Sequence, residues 1–562
     1  MRKWILKNHD ESPQYEGIHP NIARLLYNRG IRGEENIKEF LSESPVKTYD
    51  PFLLKGMREA VEKIKYYIAR GSRICIYGDY DVDGVTAICL VFEFLQNLTD
   101  NLIWYIPVRN EEGYGINKSA LDKIKQQGAE LLISVDCGIS AYEEIEYAKE
   151  IGLDMIVTDH HTAGDRIADC IVINPKQPGC SYPFKELCGC GVAYKLIQAL
   201  QRTFGLGKKT IKKGLDLAAI ATVADIVPLL DENRTLVKHG LKVVNQKKRT
   251  GLECLIKAIG LENSSICAAD IAFIIGPHIN AGGRVETAEA SLLLLMETDR
   301  DEAEKLAEKL IANNNLRKSL QHRGFELAKK HLSDKERGNL ILVSGEDIHE
   351  GVAGIVAGKL KEEFCRPALI VTENRENGVL KGTGRSIDTI NLYELLKTQE
   401  DKLIGFGGHK AACGFSIYKE NLEPFREGLE KEIDRMCLEE PGLLDEVLEV
   451  DDVLDLADAD NDFGWMVESL EPFGQKNQRP VFMIKHVYIN NLKFVGREKE
   501  HCRFFIRDLS GNSLECIMFN CESLFRGIDP EGKLFDFVGR INMNYRSGAY
   551  NIQFIPIDFR RS

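Results

Sequence analysis

Three aspartates stand at alternating positions directly after a short apolar run. They are Asp79, Asp81 and Asp83, and the residues before them, Arg73 to Tyr77, predict a buried parallel strand. The segment from Val85 to Gln96 predicts the helix that follows. Acids at the carboxyl end of such a strand lie where open α/β sheets bind ligands. Because three neighbouring carboxylates repel one another unless a cation neutralises them, the pattern indicates a metal site.

Further acids and two histidines follow other predicted elements. These are Asp136 after the strand Leu131 to Val135, the triplet Asp159-His160-His161 after the strand Met155 to Val157, and Asp225 after an apolar helix from Leu215 to Ala224. Because the strand ends of a parallel sheet lie on one edge, these side chains can converge. Carboxylate ligands favour Mg²⁺ or Mn²⁺, and an imidazole ligand favours Mn²⁺. Several carboxylates in one site commonly hold two ions about 3.5–4 Å apart, which clamp a phosphate and activate water.

Each of these residues also has a simpler explanation. A single aspartate after a strand is usually a helix cap or a turn residue, but that explanation does not account for the whole set. We expect one of the two adjacent histidines to be a metal ligand. The other either acts on the substrate or only packs and donates a hydrogen bond.

Composition narrows the class of protein. The chain has 562 residues, enough for about three domains, and its 44% apolar and 28% charged content is typical of soluble globular proteins. No apolar run approaches the roughly 18 to 20 residues that span a bilayer. The net charge of −13 argues against a protein that wraps nucleic acid regardless of sequence, but it allows an enzyme with a local basic groove.

The cysteines and the N-terminus indicate a reducing compartment. The N-terminal residues lack the features of a signal peptide, so we expect a cytoplasmic protein in which the 15 cysteines are reduced and mostly buried. Cys180, Cys188 and Cys190 lie close together in the sequence and could bind zinc. No Cys-x-x-Cys pair accompanies them, so buried thiols are the favoured interpretation.

Alternating strands and helices predict a doubly wound parallel sheet in the first half of the chain, and helices are predicted to take over from Val192. A charged segment from Asp301 to Leu332 has no glycine before Gly324 and predicts one long helix or two joined helices. The predicted organisation is an N-terminal segment (1–50), a catalytic α/β lobe (51–300), a connecting helix (301–335), a second α/β lobe (336–440) and a C-terminal β-barrel of the oligonucleotide-binding type (446–562). This is a two-lobed α/β fold with an accessory barrel.

A second group of residues is suited to phosphate. Arg109, Arg284 and Arg385 lie in irregular or glycine-flanked positions, and arginine offers a planar fork to phosphate oxygens. The run Gly382-Thr383-Gly384-Arg385-Ser386 would let backbone amides approach an anion, and His409 follows two glycines. The predicted phosphate-binding residues are therefore Arg109, Arg284, Thr383, Arg385 and His409. The alternative is that the arginines form surface ion pairs and that His409 packs.

The predicted barrel contains aromatic and basic residues that could bind a single strand by stacking and charge. They are Phe494, Arg497, Arg503, Phe504, Phe505, Tyr545, Arg546 and Tyr550. Alternating aromatic residues in strands are as often simple core residues, so both interpretations stay open.

Four motifs resemble the successive motifs of the DHH phosphoesterase superfamily. They are Gly-Asp-Tyr-Asp-Val-Asp-Gly (78–84), Ser-Val-Asp-Cys-Gly (134–138), Thr-Asp-His-His (158–161) and Ala-Asp-Ile-Val-Pro-Leu (224–229). Their order and spacing are similar to those of the single-strand-specific DNA exonucleases of that superfamily. The resemblance extends to residues 19–30, 280–284 and 407–415 and covers about residues 15 to 420. The barrel fits the same family less specifically.

The resemblance implies a two-metal centre with Mn²⁺ or Mg²⁺. Its ligands would be Asp81, Asp83, Asp136, His160 and Asp225, with Asp136 bridging the ions. Asp79 would stand in or beside the ligand set, and His161 would touch the scissile phosphate and stabilise its charge. Many relatives carry a histidine four residues before the first aspartate of the pair, where this chain has Tyr77. One ion site is therefore either weaker or completed by Asp79.

The resemblance also implies a function. We expect a 5′→3′ exonuclease that degrades single-stranded DNA to mononucleotides in recombination and repair, with a single-strand-binding protein and a helicase as partners and no membrane association. The alternatives are a DHH phosphodiesterase for short oligonucleotides or cyclic dinucleotides, and a non-catalytic replication scaffold. Phosphodiesterases of the first kind lack the N-terminal segment and the barrel, and both are predicted in this chain. Scaffolds of the second kind lose the metal-binding acids, which are all present in this chain.

Overall fold

The computed structural model describes residues 2–7, 14–113, 115–164, 166–332, 338–345, 347–373, 378–525, 532–546 and 548–562. The chain divides into two compact units. The larger unit consists of Trp4–Gly276, Leu292–Glu304 and Leu448–Ser562, and the smaller unit of Met1–Lys3, Pro277–Ser291 and Lys305–Val447. No helix of the described residues is long and apolar enough to cross a membrane.

The first part of the larger unit contains the predicted parallel sheet. Its elements are β1 (Lys3–Leu6), α1 (Pro20–Asn28), α2 (Glu34–Leu41), α3 (Met57–Ala69), β2 (Arg73–Gly78), α4 (Val82–Leu95), β3 (Leu102–Tyr105), α5 (Arg109–Glu112), α6 (Lys118–Gln126), β4 (Ala129–Val135), α7 (Tyr142–Glu150), β5 (Asp154–Thr158) and β6 (Ile171–Ile173). The sheet order is β3-β2-β4-β5-β6, with every neighbouring pair parallel. The parallel sheet is therefore confirmed, and the carboxyl ends of β2, β4 and β5 meet at one edge.

Helices dominate the segment that follows. They are α8 (Gly189–Thr203), α9 (Lys209–Lys212), α10 (Leu215–Ala224), α11 (Asp231–Val244), α12 (Thr250–Ala258), α13 (Ala268–Asp270), α14 (Gly276–Ile279), α15 (Gly282–Val285), α16 (Glu289–Met296) and α17 (Arg300–His331), with a π-helical turn at Ile271–Ile275. Helix α17 is a single helix of 32 residues. The predicted end of the connecting helix, residue 335, lies outside the described residues.

Two helices of the larger unit begin three residues earlier than the apolar pattern predicts. Helix α4 begins at Val82, because the Asp81 carboxylate accepts a hydrogen bond from the Gly84 N–H at 3.1 Å and caps the helix. Helix α8 begins at Gly189 and not near Val192, with Cys188 as its N-cap. In both cases the missed first turn contains residues of the site described below.

The smaller unit contains a mixed sheet. Its elements after α17 are β7 (Ile341–Ser344), α18 (Glu350–Phe364), β8 (Ala368–Glu373), β9 (Val379–Arg385), α19 (Leu392–Lys397), β10 (Leu403–His409), β11 (Ala412–Tyr418) and α20 (Leu422–Glu439). The strand order is β10-β11-β9-β8-β7, and only β7 and β8 pair in parallel.

The prediction of an amide cradle at Gly382-Thr383-Gly384-Arg385-Ser386 is wrong. Residues 379–385 form strand β9, which pairs with β8 on one side and β11 on the other, so the ladder occupies its backbone groups. Gly382 is needed for packing, since a Cβ there would lie 2.0 Å from the Phe415 ring. The side chains of Thr383 and Arg385 lie on the opposite face of the strand.

The C-terminal region of the larger unit forms a closed five-stranded barrel. Its elements are β12 (Val447–Val450), β13 (Asp452–Val453), α21 (Asn461–Glu468), β14 (Phe482–Val495), β15 (His501–Arg507), β16 (Ser513–Met518), α22 (Glu522–Phe525), β17 (Leu534–Arg546) and β18 (Ala549–Arg561). The order β14-β15-β16-β18-β17 closes through the pairing of β14 with β17. The predicted barrel is confirmed, and α1 and α2 add Ile22, Leu25 and Ile37 to its core.

One barrel residue is placed differently from the stacking interpretation. Phe504 is fully buried and packs against Phe525 and Phe537, because the alternation of β15 directs it inward with Cys502 and Ile506. Phe504 is therefore a core residue and is not available to bases.

Candidate metal centre

Four predicted ligands meet at the carboxyl edge of the parallel sheet. Asp83 comes from the first turn of α4, Asp136 follows β4, His160 follows β5 and Asp225 ends α10. The His160 Nε2 atom lies 3.2 Å from Asp136 Oδ1, 3.6 Å from Asp225 Oδ2 and 3.8 Å from Asp83 Oδ2. Two groups of three residues each place one ligand atom per residue within 4.8 Å of one another. The first group is Asp83, His160 and Asp225, and the second is Asp136, His160 and His161. The two groups share His160.

Several polar atoms of this cluster are buried without a hydrogen-bond partner among the residues that the structure describes. They are both ring nitrogens of His160, Oδ1 of Asp136 and Oδ1 of Asp79. Burying a polar atom without a partner is costly, and such groups normally find one. The oxygen and imidazole donors that face one another here, Asp136 Oδ1 and His160 Nε2, fit a divalent cation, which would engage both.

The electrostatics of the site lead to the same conclusion. Burial, followed by repulsion from Asp81, raises the pKa of Asp79 to about 8. Burial and the nearby Asp83 raise the pKa of Asp225 to about 9, and burial with the surrounding carboxylates raises the pKa of Asp136 well above its ordinary value. Burial lowers the pKa of His160 to about 4, so its ring is neutral and can bind a cation at neutral pH. The described residues therefore supply too little positive charge to neutralise these carboxylates.

Asp136 has a strained backbone. Its φ angle is +61°, in the left-handed region that non-glycine residues seldom occupy, and its N–H donates to Thr158 O at 3.0 Å. Strain of this kind is common at functional sites, where the surrounding structure enforces it. Here the turn after β4 directs the carboxylate towards His160.

Asp159 orients His161. The fully buried Asp159 carboxylate accepts hydrogen bonds from the N–H groups of His160 at 2.7 Å, His161 at 3.1 Å and Ile139 at 2.9 Å. Its Oδ1 also lies 2.8 Å from the Nδ1 of His161. Burial alone would lower the pKa of His161, but this bond and the charge of Asp159 raise it to about 9. The ring is therefore protonated at neutral pH, and 37% of the His161 side chain is exposed.

Asp79, Asp81 and Arg109 lie around this core. Asp81 caps α4, and its charge contributes to the raised pKa of Asp79, Asp83 and Asp136. Arg109 stacks over the Tyr80 ring with its Cζ 5.3 Å from the centroid, and its charge opposes the rise in the pKa of Asp79. Neither Asp79 nor Asp81 contributes an atom to the two groups that share His160.

Tyr77 is not directed into the cluster. Its hydroxyl donates to Gly115 O at 2.7 Å, and its ring stacks on Tyr105 in a fully buried position. The residue that replaces the histidine of many relatives therefore has a core role. Asp79, whose Oδ1 is buried without a hydrogen-bond partner among the described residues, is a candidate to complete the ligand set.

Comparison with known proteins agrees with this geometry. Family models match at residues 73–222 (DHH family, N-terminal domain), 337–435 (DHHA1 domain) and 450–558 (RecJ OB domain). The single-stranded-DNA-specific exonuclease RecJ of Salmonella typhimurium is 32% identical over 540 residues, which cover 92% of this chain and 91% of that protein. The chain belongs to the RecJ family.

Other RecJ proteins match as well. RecJ of Bacillus subtilis, also a single-stranded-DNA-specific exonuclease, is 39% identical over 532 residues, and the match covers 94% of this chain but 66% of that protein. The crystal structure of Thermus thermophilus RecJ in complex with Mn²⁺ matches with a TM-score of 0.84 and 28% identity, covering 100% of this chain and 80% of that one. The same RecJ in complex with Mg²⁺ matches with a TM-score of 0.79 at 27% identity, covering 100% of this chain and 78% of that one.

The sequence indicated neither the backbone donors of α8 nor the way in which Asp159 holds His161 at the candidate metal centre. Asp83 accepts hydrogen bonds from the backbone N–H groups of Gly189 and Cys190 at 2.6 and 2.7 Å, and Asp159 holds His161 as described. The Gly189-Cys190-Gly191 run before an apolar helix was a possible signal, because glycines allow close backbone approach. Asp159 belongs to the Asp-His-His triplet, but the predicted roles in that triplet were assigned to His160 and His161.

The remaining predicted phosphate-binding residues belong to the smaller unit. Arg385 donates to Gly384 O at 2.8 Å, and its Nη1 lies 3.5 Å from Thr383 Oγ1. Arg284 Nη1 lies 3.4 Å from Gly351 O, at the start of α18. His409 is exposed at the end of β10, in register with Ala412, which in turn pairs with Arg385. His409 and Arg385 thus share one face of the sheet, on two strands separated by β11.

Proposed function

We propose that this chain hydrolyses single-stranded DNA from the 5′ end and releases mononucleotides, using two divalent cations, Mn²⁺ or Mg²⁺. The observation that carries the proposal is the cluster of buried carboxylate and imidazole atoms without hydrogen-bond partners among the described residues. The RecJ relatives named single-stranded-DNA-specific exonucleases support the substrate class. The RecJ crystal structures with Mn²⁺ and Mg²⁺ support the choice of ions.

We assign the ions to five ligands. Asp83, Asp136, His160 and Asp225 would hold them together with Asp81, and Asp136 would bridge. When bound, such ions would polarise the phosphate and activate a water for attack on it. The protein contributes fixed ligand positions and a neutral His160 ring, which needs no deprotonation before it binds a cation.

His161 and Asp79 are the proposed catalytic groups. His161 would place a charged N–H against the scissile phosphate. Because Asp159 binds Nδ1, the Nε2 atom of His161 would be the donor to the substrate. Asp79 would act beside the ligand set, since it is buried next to Asp81 and its Oδ1 has no hydrogen-bond partner among the described residues. Arg109 would bind a phosphate of the substrate from the edge of the site.

The smaller unit would bind the substrate backbone. Arg284, Thr383, Arg385 and His409 provide guanidinium, hydroxyl and imidazole donors, which match the oxygens of phosphate groups. Arg385 and His409 share one face of the sheet, and Arg284 contacts the start of α18. We therefore propose that these residues recognise the 5′-terminal phosphate and its neighbours.

The barrel would bind the strand by stacking. Tyr545 and Tyr550 pair across the β17–β18 hairpin with ring centroids 4.9 Å apart, and Trp465 of α21 lies 5.1 Å from Tyr550. All three rings are about half exposed or more, at 62%, 50% and 47% respectively. Exposed aromatic faces next to one another are suited to successive bases. Arg503, in contrast, pairs with Glu515 and is a weaker candidate.

We also propose a cytoplasmic location, roles in recombination and repair, and two partners. An exonuclease restricted to single strands depends on a helicase to open a duplex, and it must share its substrate with a single-strand-binding protein. Adding a helicase should therefore make a blunt duplex degradable.

The test compares four substrates in Mn²⁺ and in Mg²⁺. They are a long single strand with a 5′-phosphate, the same strand blocked at its 5′ end, a duplex and a dinucleotide. We expect rapid release of mononucleotides from the 5′-phosphorylated strand alone. Preferred cleavage of the dinucleotide would favour a phosphodiesterase for short substrates, and cleavage of none would favour a non-catalytic scaffold.

A further inference from the structure

The first turn of helix α8 contacts two of the proposed ligands through its backbone. The Gly189 N–H donates to Asp83 Oδ2 at 2.6 Å, and the Cys190 N–H donates to Asp83 Oδ1 at 2.7 Å. Both oxygens of one carboxylate are thus held by the start of a 15-residue helix. The free N–H groups and the dipole of a helix N-terminus favour a negative charge at this position.

Gly189 also lies against the second carboxylate. A Cβ built on Gly189 would be 2.4 Å from Oδ1, 2.5 Å from Cβ and 2.7 Å from Cγ of Asp136. No side chain fits into that gap unless Asp136 moves. Asp136 is fixed on its other side by its strained turn, so it has little freedom to adapt.

We propose that Gly189 and Cys190 are positioning residues that set the separation of the Asp83 and Asp136 carboxylates for cation binding. The inference rests on the proposed metal site. Two unneutralised carboxylates repel each other and would separate if nothing restrained them. Helix α8 holds Asp83 by two hydrogen bonds and meets Asp136 by direct contact, so that both carboxylates stay within 3.8 Å of His160 Nε2.

The chain offers a matched pair of variants on the same helix. Gly189→Ala introduces a methyl group against Asp136. Gly191→Ala introduces the same methyl group two residues later, where the nearest atoms belong to Leu187 and Cys188 at 3.4 and 3.5 Å, an ordinary contact distance. Both substitutions favour helix formation equally, so a difference between them reports the contact with Asp136.

Mn²⁺ binding to the full chain is measured by isothermal titration, and the melting temperature in EDTA reports folding. We expect Gly189→Ala to weaken Mn²⁺ binding by about 10- to 100-fold, the range typical for residues that orient metal ligands. We expect Gly191→Ala to stay within about twofold of the parent chain. In nuclease assays, Gly189→Ala should need more Mn²⁺ for half-maximal rate, and excess Mn²⁺ should restore much of the rate. A purely structural role would lower the melting temperature without this rescue.

A second pair tests the amide of Cys190 without changing Gly189. Cys190→Pro removes the N–H donor, and proline is tolerated in the first turn of a helix. Cys190→Ala keeps the N–H and removes only the thiol, so it is the reference. We expect Mn²⁺ to bind the proline variant at least about tenfold more weakly than the alanine variant.

The outcomes separate the inference from the proposed function. If the parent chain binds no Mn²⁺, the proposed function is wrong and the inference fails with it. If the parent chain binds Mn²⁺ and Gly189→Ala binds it equally well, the inference alone is overturned. If Gly189→Ala does not fold, the proline and alanine variants decide, and equal affinity between them overturns the role of the helix.

Discussion

Helices α4 and α10 pack together in the larger unit. Each helix has two buried or half-buried acids, one near each of its ends. At one end, Asp83 and Asp225 face His160 and belong to the candidate metal centre. At the other end, Glu93 and Asp216 flank Arg249, whose Nη1 lies 2.6 Å from Glu93 Oε1 and whose Nε lies 2.7 Å from Asp216 Oδ2. The same two helices thus bury acids in two different ways.

The difference lies in where the positive charge comes from. Arg249 and Lys213, whose Nζ lies 3.4 Å from Glu93 Oε2, together neutralise Glu93 and Asp216. Arg249 also donates to Leu295 O at 2.8 Å, so this cluster is complete within the protein. In the metal centre, the His160 ring is neutral and the acids have raised pKa values. The Arg249 cluster is therefore neutralised within the protein, whereas the charged His161 ring does not balance the several acids of the metal centre.

The largest expected effect comes from removing the protein's own cation. Arg249→Met keeps the length of the side chain but leaves Asp216 and Glu93 facing each other, so we expect a loss of about 3–5 kcal/mol in the free energy of unfolding. Urea denaturation measures it. Arg249→Met combined with Asp216→Asn should recover part of the loss. A change below about 1 kcal/mol would show that this cluster does not depend on Arg249.

Removing an acid from the candidate metal centre should lower the activity without impairing folding. We expect Asp136→Asn to lower Mn²⁺-dependent hydrolysis of single-stranded DNA by at least about 10²–10³-fold, because the proposed bridging ligand of the ions is lost. Its melting temperature in EDTA should be equal to or above that of the parent chain, since repulsion within the cluster is relieved. Unchanged turnover of Asp136→Asn would contradict the assignment of the site.

Asp159 combines both patterns, because it is a buried acid paired with a site histidine. We expect Asp159→Asn to lower the nuclease rate by about 10- to 100-fold, as substitutions of groups that orient active-site histidines commonly do. The melting temperature of the variant controls for misfolding. If Asp159→Asn retains the full rate, the orientation of His161 does not depend on this hydrogen bond.

The smallest expected effect is on the pH dependence of stability without metal. The folded-state pKa values of Asp79 and Asp225, about 8 and about 9, lie above the value of about 4 expected in the unfolded chain. The stability that these groups contribute is complete below about pH 4 and is lost as the pH rises through 8 to 9. In EDTA, we expect the free energy of unfolding to fall as the pH rises from 6 to 8. Excess Mn²⁺ should abolish this fall, and a stability that rises with pH in EDTA would contradict the cluster's electrostatics.

The sequence predicted the elements that local patterns determine. Apolar runs that end in acids indicated β2, β4 and β5 and the edge at which they meet, and the arrangement of Asp83, Asp136, His160 and Asp225 follows from that topology. The Arg249 cluster could not be predicted in the same way. Its partners are 33 and 156 residues away along the chain, and no local pattern connects them.

Other failures have a common physical cause. The glycines of β9 suggested a loop around an anion, but Gly382 makes room for the Phe415 ring within a sheet. The sequence left open whether Phe504 stacks on bases or packs in the core, and the barrel closes around it. The first turn of α8 was missed because its glycines have no apolar side chains to continue the helical pattern. In each case a small or ambiguous residue obtains its role from a tertiary contact.

The decisive experiment on the metal centre is a titration of Mn²⁺ into the metal-free full chain. We expect two Mn²⁺ ions to bind per chain, and we expect Asp136→Asn to lose this binding while remaining folded. A chain that binds no Mn²⁺, or an Asp136→Asn variant that binds it as well as the parent, would contradict the claim that these buried acids are a metal centre.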